Sequence, residues 1–315
     1  MKVIEQVLTK YNKPVFIFLF VLCLMPFISP AVALFLGLAF ALTAGQPFPV
    51  FSKKTSKYLL QFSVVGLGFG MNLHESLQTG KDGMVFTIVS VASVLILGIY
   101  LGKRMMMDRK TAYLISAGTA ICGGSAIAAV APVVKANDNE MSMALGTIFL
   151  LNAIALFIFP PIGHLLGMTQ EQFGMWAAIA IHDTSSVVGA GAAYGEKALE
   201  IATMVKLTRA LWIIPITIVT MFLFKQKGAK ISIPWFIFFF ILAMVANTFL
   251  NIPAVVSNSL VWAAKKGLTV TLFLIGSGLS RRVIKQVGVR PMVQGVILWI
   301  FIGLTSLGVI MLIEN

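Results

Sequence analysis

AICGGSAIAAVAPVVKANDNE, residues 120–140, and AIHDTSSVVGAGAAYGEKALE, residues 180–200, lie over one another when the chain is shifted by 60 residues. The overlay matches Ala120 with Ala180, Ile121 with Ile181, Ser125 with Ser185 and Glu140 with Glu200. Each stretch interrupts an apolar run with a patch of small and polar residues. In hydrocarbon every backbone N–H and C=O must be satisfied within the protein. A helix broken at membrane depth therefore persists only where protein or a watery cavity covers the break. Two such interruptions predict a pair of broken segments that meet at one site.

The rest of the chain is a membrane sequence. Of its 315 residues 58% are apolar and 11% charged, with a mean hydropathy of +0.95. The charged share is about half that of a soluble domain. Apolar runs near the length that crosses a bilayer recur throughout, which predicts an all-α, polytopic membrane protein. Candidate spans are 14–28, 30–45, 57–73, 84–102, 111–135, 141–160, 172–195, 199–224, 233–250 and 291–313. Residues 253–280 hold either one span, LTVTLFLIGSGLS, preceded by a surface helix, or two short ones split by Lys265 and Lys266, so the total is 11 or 12. No soluble domain is left over: 1–315 reads as one membrane transport domain. Within it, 1–110 are first helices including a scaffold part, 111–224 a core with both broken segments, and 225–315 the remaining helices.

The net charge of +13 lies in short clusters between apolar runs, not on one basic face, which argues for membrane orientation and against nucleic acid. Lys2, Lys10 and Lys13, then Lys53, Lys54 and Lys57, then Lys103, Arg104, Arg109 and Lys110, then Lys225, Lys227 and Lys230 share one side if every candidate span crosses. That places the N-terminus in the cytoplasm, and puts NDNE, residues 137–140, and the loop with Glu196 opposite. An odd count of spans, 11, also brings Arg281, Arg282, Lys285 and Arg290 inside. Cys23 and Cys122 sit in apolar segments and signal neither a disulfide framework nor a Cys-rich metal site. There is no Gly-x-x-x-x-Gly-Lys-Ser/Thr motif for ATP-driven pumping, and no cofactor is indicated. GLGFGMNL (66–73) before one span resembles LIGSGLS (274–280) before another, and an odd offset in spans would make the two an inverted repeat.

The broken segments supply the candidate binding residues. Gly123 and Gly124 let the backbone unwind or approach a ligand, and Ser125 adds a hydroxyl. Small residues here are also what a helix-packing surface would use. His182, Asp183, Thr184, Ser185 and Ser186 are consecutive and would point all round a helix. Ionisable groups at such depth mark an ion or substrate path, unless the stretch is a loop reaching the surface. His182 is the natural proton carrier, with Asp183 holding its tautomer or accepting a coupling ion. Lys206 and Arg209 fall on one face of the next span, where they would draw in an anion, unless they snorkel to the interface. Asn72, Asn152, Asn247 and Ser277 read as helix–helix hydrogen bonds, and His74 and His164 as loop residues.

At CGGSAIAAVAP, HDTSSVVGAGAAYG, GLGFGMNL and KLTRALWIIP the sequence resembles, over nearly its whole length, the YeiH-type family of bacterial inner-membrane proteins described as sulfate exporters. That family is similar to the cation/proton antiporters and anion transporters built from inverted repeats. Its Cys-Gly-x-Ser segment falls on Cys122, Gly123, Gly124 and Ser125, and its His-Asp/Glu segment on His182 and Asp183. The chain departs from the pattern at Ser185 and Ser186, where the family carries glutamine and small residues. The resemblance implies secondary, non-enzymatic export of a small anion such as sulfate. Cys122, Gly123, Gly124, Ser125, Thr184, Ser185, Ser186, Lys206 and Arg209 would bind it, His182 and Asp183 would couple H+ or Na+, and a homodimer fits. Two other classes are an anion channel and an intramembrane hydrolase with Ser125 as nucleophile and His182 as base.

Overall fold

A computed structural model describes residues 11–74, 84–224, 235–250, 252–278 and 287–313, and these are helical with short connections. The helices are α1 (Asn12–Leu22), α2 (Pro30–Thr43), α3 (Pro49–Gly68), α4 (Met84–Arg104), α5 (Arg109–Ala120), α6 (Gly124–Val134) and α7 (Asp138–Leu165). They continue as α8 (Gln170–Ala180), α9 (Thr184–Tyr194), α10 (Glu196–Ala210), α11 (Ile213–Leu223), α12 (Trp235–Phe249), α13 (Ala254–Gly278) and α14 (Val289–Ile313). Among the described residues five stretches are long and apolar enough to cross a membrane: Phe86–Arg104, Asp138–Leu165, Glu196–Leu223, Ala254–Gly278 and Val289–Leu312. Apolar side chains such as Phe62 (73% exposed) and Phe222 (78%) face outward, as lipid-facing residues do and a soluble core does not. This is a polytopic membrane protein.

The two interrupted runs are not crossings, contrary to the expectation for 111–135 and 172–195. Lys110 Nζ, at the start of α5, donates to Lys135 O, just past the end of α6, at 2.8 Å. A continuous path through the membrane would set those residues about 37 Å apart at ~1.5 Å per residue. Gly118 of α5 also lies against Ile127 of α6, so the pair is a helical hairpin that enters and leaves on one side. The second interruption repeats the device. Tyr194 Oη, ending α9, donates to Met168 O ahead of α8 at 2.6 Å, and Phe173 and Tyr194 stack with ring centroids 3.8 Å apart. Gln170 Oε1 accepts the Lys197 N–H at 2.9 Å, which ties the mouth of this hairpin to the start of α10.

Between the hairpins runs α7, 28 residues long, starting beside Lys110 through Glu140 and ending beside Met168. Capping fixes where it starts: Asn137 Oδ1 accepts the Glu140 N–H while Glu140 accepts the Asn137 N–H. The hairpins therefore enter from opposite ends of the molecule. Their halves also keep the sequence offset, since α5 and α8 end at Ala120 and Ala180 and α6 and α9 begin at Gly124 and Thr184. The unit α5–α7 and the unit α8–α11 form an inverted pair. The other sequence resemblance has a counterpart too: α3 lies antiparallel on α13, with Ser63 at Gly267 and Gly66 at Ala264, and α4 on α14.

Packing groups the helices differently from a simple division along the chain. One body holds α1, α2, α3, α12 and α13; the other holds α4 through α11 with α14. Gly37 and Gly276 let the α2 and α13 backbones touch, an approach that a Cβ would block. Within the 253–280 stretch Ala254–Gly278 is the single helix α13, which passes through Lys265 and Lys266. Lys265 Nζ pairs with Glu196 Oε1 at 2.8 Å, and Lys266 Nζ donates to Met25 O at 2.9 Å. The two bodies meet chiefly along α9, which packs on α13 and α2. His164 is in the last turn of α7, stacked on Tyr194 at 4.2 Å, and is not a loop residue.

Turning two crossings into hairpins leaves the charge alternation intact, because each hairpin returns to its own side. It moves NDNE to the end that carries Lys110. Arg290 Nη1 donates to Met106 O at 3.3 Å and so joins the cluster 103–110, whereas Lys265 lies at the opposite end with Glu196. Lys2, Lys10, Lys225, Lys227, Lys230, Arg281, Arg282 and Lys285 lie outside the described residues. The hairpin topology has a direct consequence: cysteines introduced as Lys110→Cys and Lys135→Cys should react with an impermeant maleimide from the same side of oriented vesicles. Labelling from opposite sides would restore a crossing segment.

Candidate functional site

The hairpin tips meet at the middle of α7. Gly123 takes φ +67°, a left-handed value that suits glycine, and a Cβ there would lie 3.3 Å from both His182 O and Asp183 Cα and 3.2 Å from Ile148. Its N–H reaches back to Gly118 O at 2.8 Å, closing the α5 end. Asn152, one turn from Ile148 on α7, holds the second tip: its Oδ1 accepts the backbone N–H groups of His182 at 3.1 Å and Asp183 at 3.3 Å. The expectation of a helix–helix hydrogen bond for Asn152 becomes something more specific, a support for the break itself.

Three of the four half-helix ends at the tips have a partner of the right sign. A helix C-terminus carries unpaired carbonyls and partial negative charge, and an N-terminus unpaired N–H groups and partial positive charge. Lys206 Nζ donates to Ile181 O at 2.7 Å and Ala178 O at 3.2 Å, and so closes the end of α8. Arg209 Nη2 donates to Ala120 O at 2.7 Å, closing the end of α5, while Nη1 reaches Ser90 Oγ of α4 at 3.0 Å. Both cations come from α10, three residues apart, and both are fully buried. They do not snorkel. At the N-terminal end of α9 the Asp183 carboxylate accepts the Ser185 and Ser186 N–H groups at 3.1 and 3.3 Å and the Ser185 hydroxyl.

The equivalent end of α6 is arranged differently. Its N-cap is Gly123, with no side chain to offer. Gly124 is half-buried and Ser125 exposed, whereas residues 181–191 of the second hairpin are buried without exception. The tip region also concentrates polar atoms without a partner: both ring nitrogens of His182, Nδ2 of Asn152, Oγ1 of Thr119 and Nε of Arg209. Buried polar groups are ordinarily satisfied, so such a concentration fits a place built for water or a ligand.

The structure thus brings Cys122, Gly123, Gly124, Ser125, His182, Asp183, Thr184, Ser185, Ser186, Lys206 and Arg209 to the two tips and the helix beside them. Three assignments change in character. Lys206 and Arg209 close carbonyl ends, and Asp183 is a helix cap. No hydrogen bond links Ser125 to His182, whose ring nitrogens are unpartnered. Ser90 and Thr119 escaped the sequence reading, since a lone hydroxyl in an apolar span carries no signal until its surroundings are known: Arg209 against Ser90, and no partner at Thr119 Oγ1. Among the described residues no cluster of three or more His, Cys, Asp or Glu could hold a metal. Replacing Gly123 by Ala should strain the left-handed tip by about 1–3 kcal/mol and press it against His182 and Asp183. The variant should show a lower Tm; wild-type stability would contradict the tip-to-tip contact.

A family model described as conserved hypothetical protein 698 matches residues 23–295. A UPF0324 membrane protein of Bacteroides thetaiotaomicron is 64% identical over 286 residues, covering 90% of this chain and 86% of the relative. One from Porphyromonas gingivalis is 59% identical over 291 residues, 91% and 88% of the two chains. One from Bdellovibrio bacteriovorus is 46% identical over 310 residues, 96% and 95%. Their names specify a membrane protein and no substrate. No solved structure matches the chain.

Proposed function

The chain belongs to the conserved hypothetical protein 698 family, that of the UPF0324 membrane proteins, and we propose that it is a secondary transporter of a small anion, with sulfate and related sulfur oxyanions as the first candidates. The observation that carries this reading is the charge at the hairpin tips. Among the described residues the buried charged side chains are Lys206, Arg209 and Asp183, two cations against one carboxylate. Charge at membrane depth is costly unless balanced, and an anion between the tips would balance it. Arg209 retains an unpartnered Nε, Lys206 uses two of three donors, and the first turn of α6 offers backbone N–H groups and Ser125. These are the donors that an oxyanion accepts from.

Two hairpins entering from opposite ends suit alternating access to a central site, as in carriers made of inverted repeats. The exposed Ser125 belongs to the hairpin whose mouth lies at the end with Lys103, Arg104 and Lys110, the cytoplasmic end by the positive-inside rule. Loading from that end fits export across a bacterial inner membrane. His182, with neither ring nitrogen engaged, is the proton carrier in this reading.

Sulfate should raise the Tm of the purified protein in a saturable way, because a ligand of the native state stabilises it. Arg209→Lys keeps the charge and loses the fork, and should raise the half-saturating sulfate concentration on the order of tenfold, about 1.4 kcal/mol. No shift with sulfate, sulfite, phosphate or small carboxylates would remove the anion site. In proteoliposomes His182→Ala should abolish the pH dependence of anion flux; full activity with unchanged pH dependence would remove His182 from coupling.

A further inference from the structure

The sequence leaves H+ and Na+ open as coupling ions, and beside the proton role read for His182 the geometry of α10 bears on Na+. In carriers with broken helices the C-terminal half-helix ends and their free carbonyls coordinate the cation, while the N-terminal ends face the anionic substrate. Here both C-terminal ends are already filled. Ile181 O and Ala178 O of the α8 end accept from Lys206 Nζ at 2.7 and 3.2 Å, and Ala120 O of the α5 end accepts from Arg209 at 2.7 Å. One oxygen of the neighbouring carboxylate, a natural ligand for a hard cation, is engaged too, since Asp183 Oδ2 takes two N–H groups and a hydroxyl of its own helix. Lys206 makes no ion pair with it. A further monovalent cation would find these carbonyls and Asp183 Oδ2 engaged, and it would add to an excess of buried positive charge.

We propose that the Lys206 ammonium is a tethered replacement for a coupling sodium ion, so that Lys206 sets the ion specificity of the carrier and transport is sodium-independent. The charged and titratable groups around it are Arg209 on its own helix, Cys122 on the first hairpin and Asp183 on the second, with His182 adjacent to Asp183. Removing the ammonium while keeping an unbranched chain, as in Lys206→Met, would free Ile181 O and Ala178 O beside Asp183 and open an alkali-cation site where the native chain has none.

The experiment compares the Tm of detergent-purified wild type and Lys206→Met in chloride salts of lithium, sodium, potassium and choline at equal ionic strength. Wild type should melt alike in all four. The variant should gain about 4 °C, saturably, in sodium or lithium relative to choline. Sodium-specific stabilisation of the wild type, or a variant indifferent to every alkali cation, would overturn the proposal. If the variant does not fold, wild-type sulfate flux decides: equal rates in sodium and choline support the tethered cation, and sodium-dependent flux overturns it. The proposal rests on the transporter reading, and the two fail separately. A wild type that moves and binds no anion defeats the transporter reading, while the melting comparison still reports on the carbonyl site.

Discussion

The carbonyl ends left by two interrupted helices at membrane depth are the constraint around which the rest of the molecule is arranged. A helix that stops in hydrocarbon exposes up to four C=O groups that no water can reach. This chain answers with two side chains from one neighbouring helix: Lys206 for the α8 end and Arg209 for the α5 end. Because they are three residues apart on α10, the two hairpin tips must lie within one side-chain reach of a single helix face. The contact of Gly123 with His182 and Asp183 follows from the same requirement.

Once the tips are fixed, the surrounding helices take their places. The middle of α7 supplies Ile148 and Asn152, α4 supplies Ser90, and α14 joins this body through Gln294, whose Nε2 reaches Gly98 O at 2.9 Å and Ala112 O at 3.1 Å. The other body, α1–α3 with α12 and α13, carries no charge at comparable burial among the described residues. It is apolar packing, brought close by Gly37 and Gly276. The chain thus divides the labour between a charged half that holds two hairpins and a greasy half that α9 lies against.

Much of this was legible in the sequence. The 60-residue offset between AICGGS and AIHDTS located both breaks, their register and the residues at the tips. The direction of the chain through each break was not legible. Hydropathy scores depth and is blind to whether a helix continues across or turns back, so 111–135 and 172–195 read as spans. The charge pattern could not correct this, because two hairpins preserve the parity that two crossings would have. The contact that does settle it, Lys110 with Lys135, is between two residues that each look like ordinary interface lysines. The roles of Lys206 and Arg209 were half legible: their depth and shared face could be read, but their partners are main-chain carbonyls, which no side-chain pattern announces.

The central claim is that the two tips enclose one site for a small oxyanion. A structure determined with selenate in place of sulfate, using the anomalous signal of selenium, tests it most directly. The account predicts a peak between Gly123–Ser125 and His182–Asp183, within hydrogen-bond reach of Arg209 Nε. A peak on the outer surface alone, or none at a selenate concentration that saturates the protein, would contradict it.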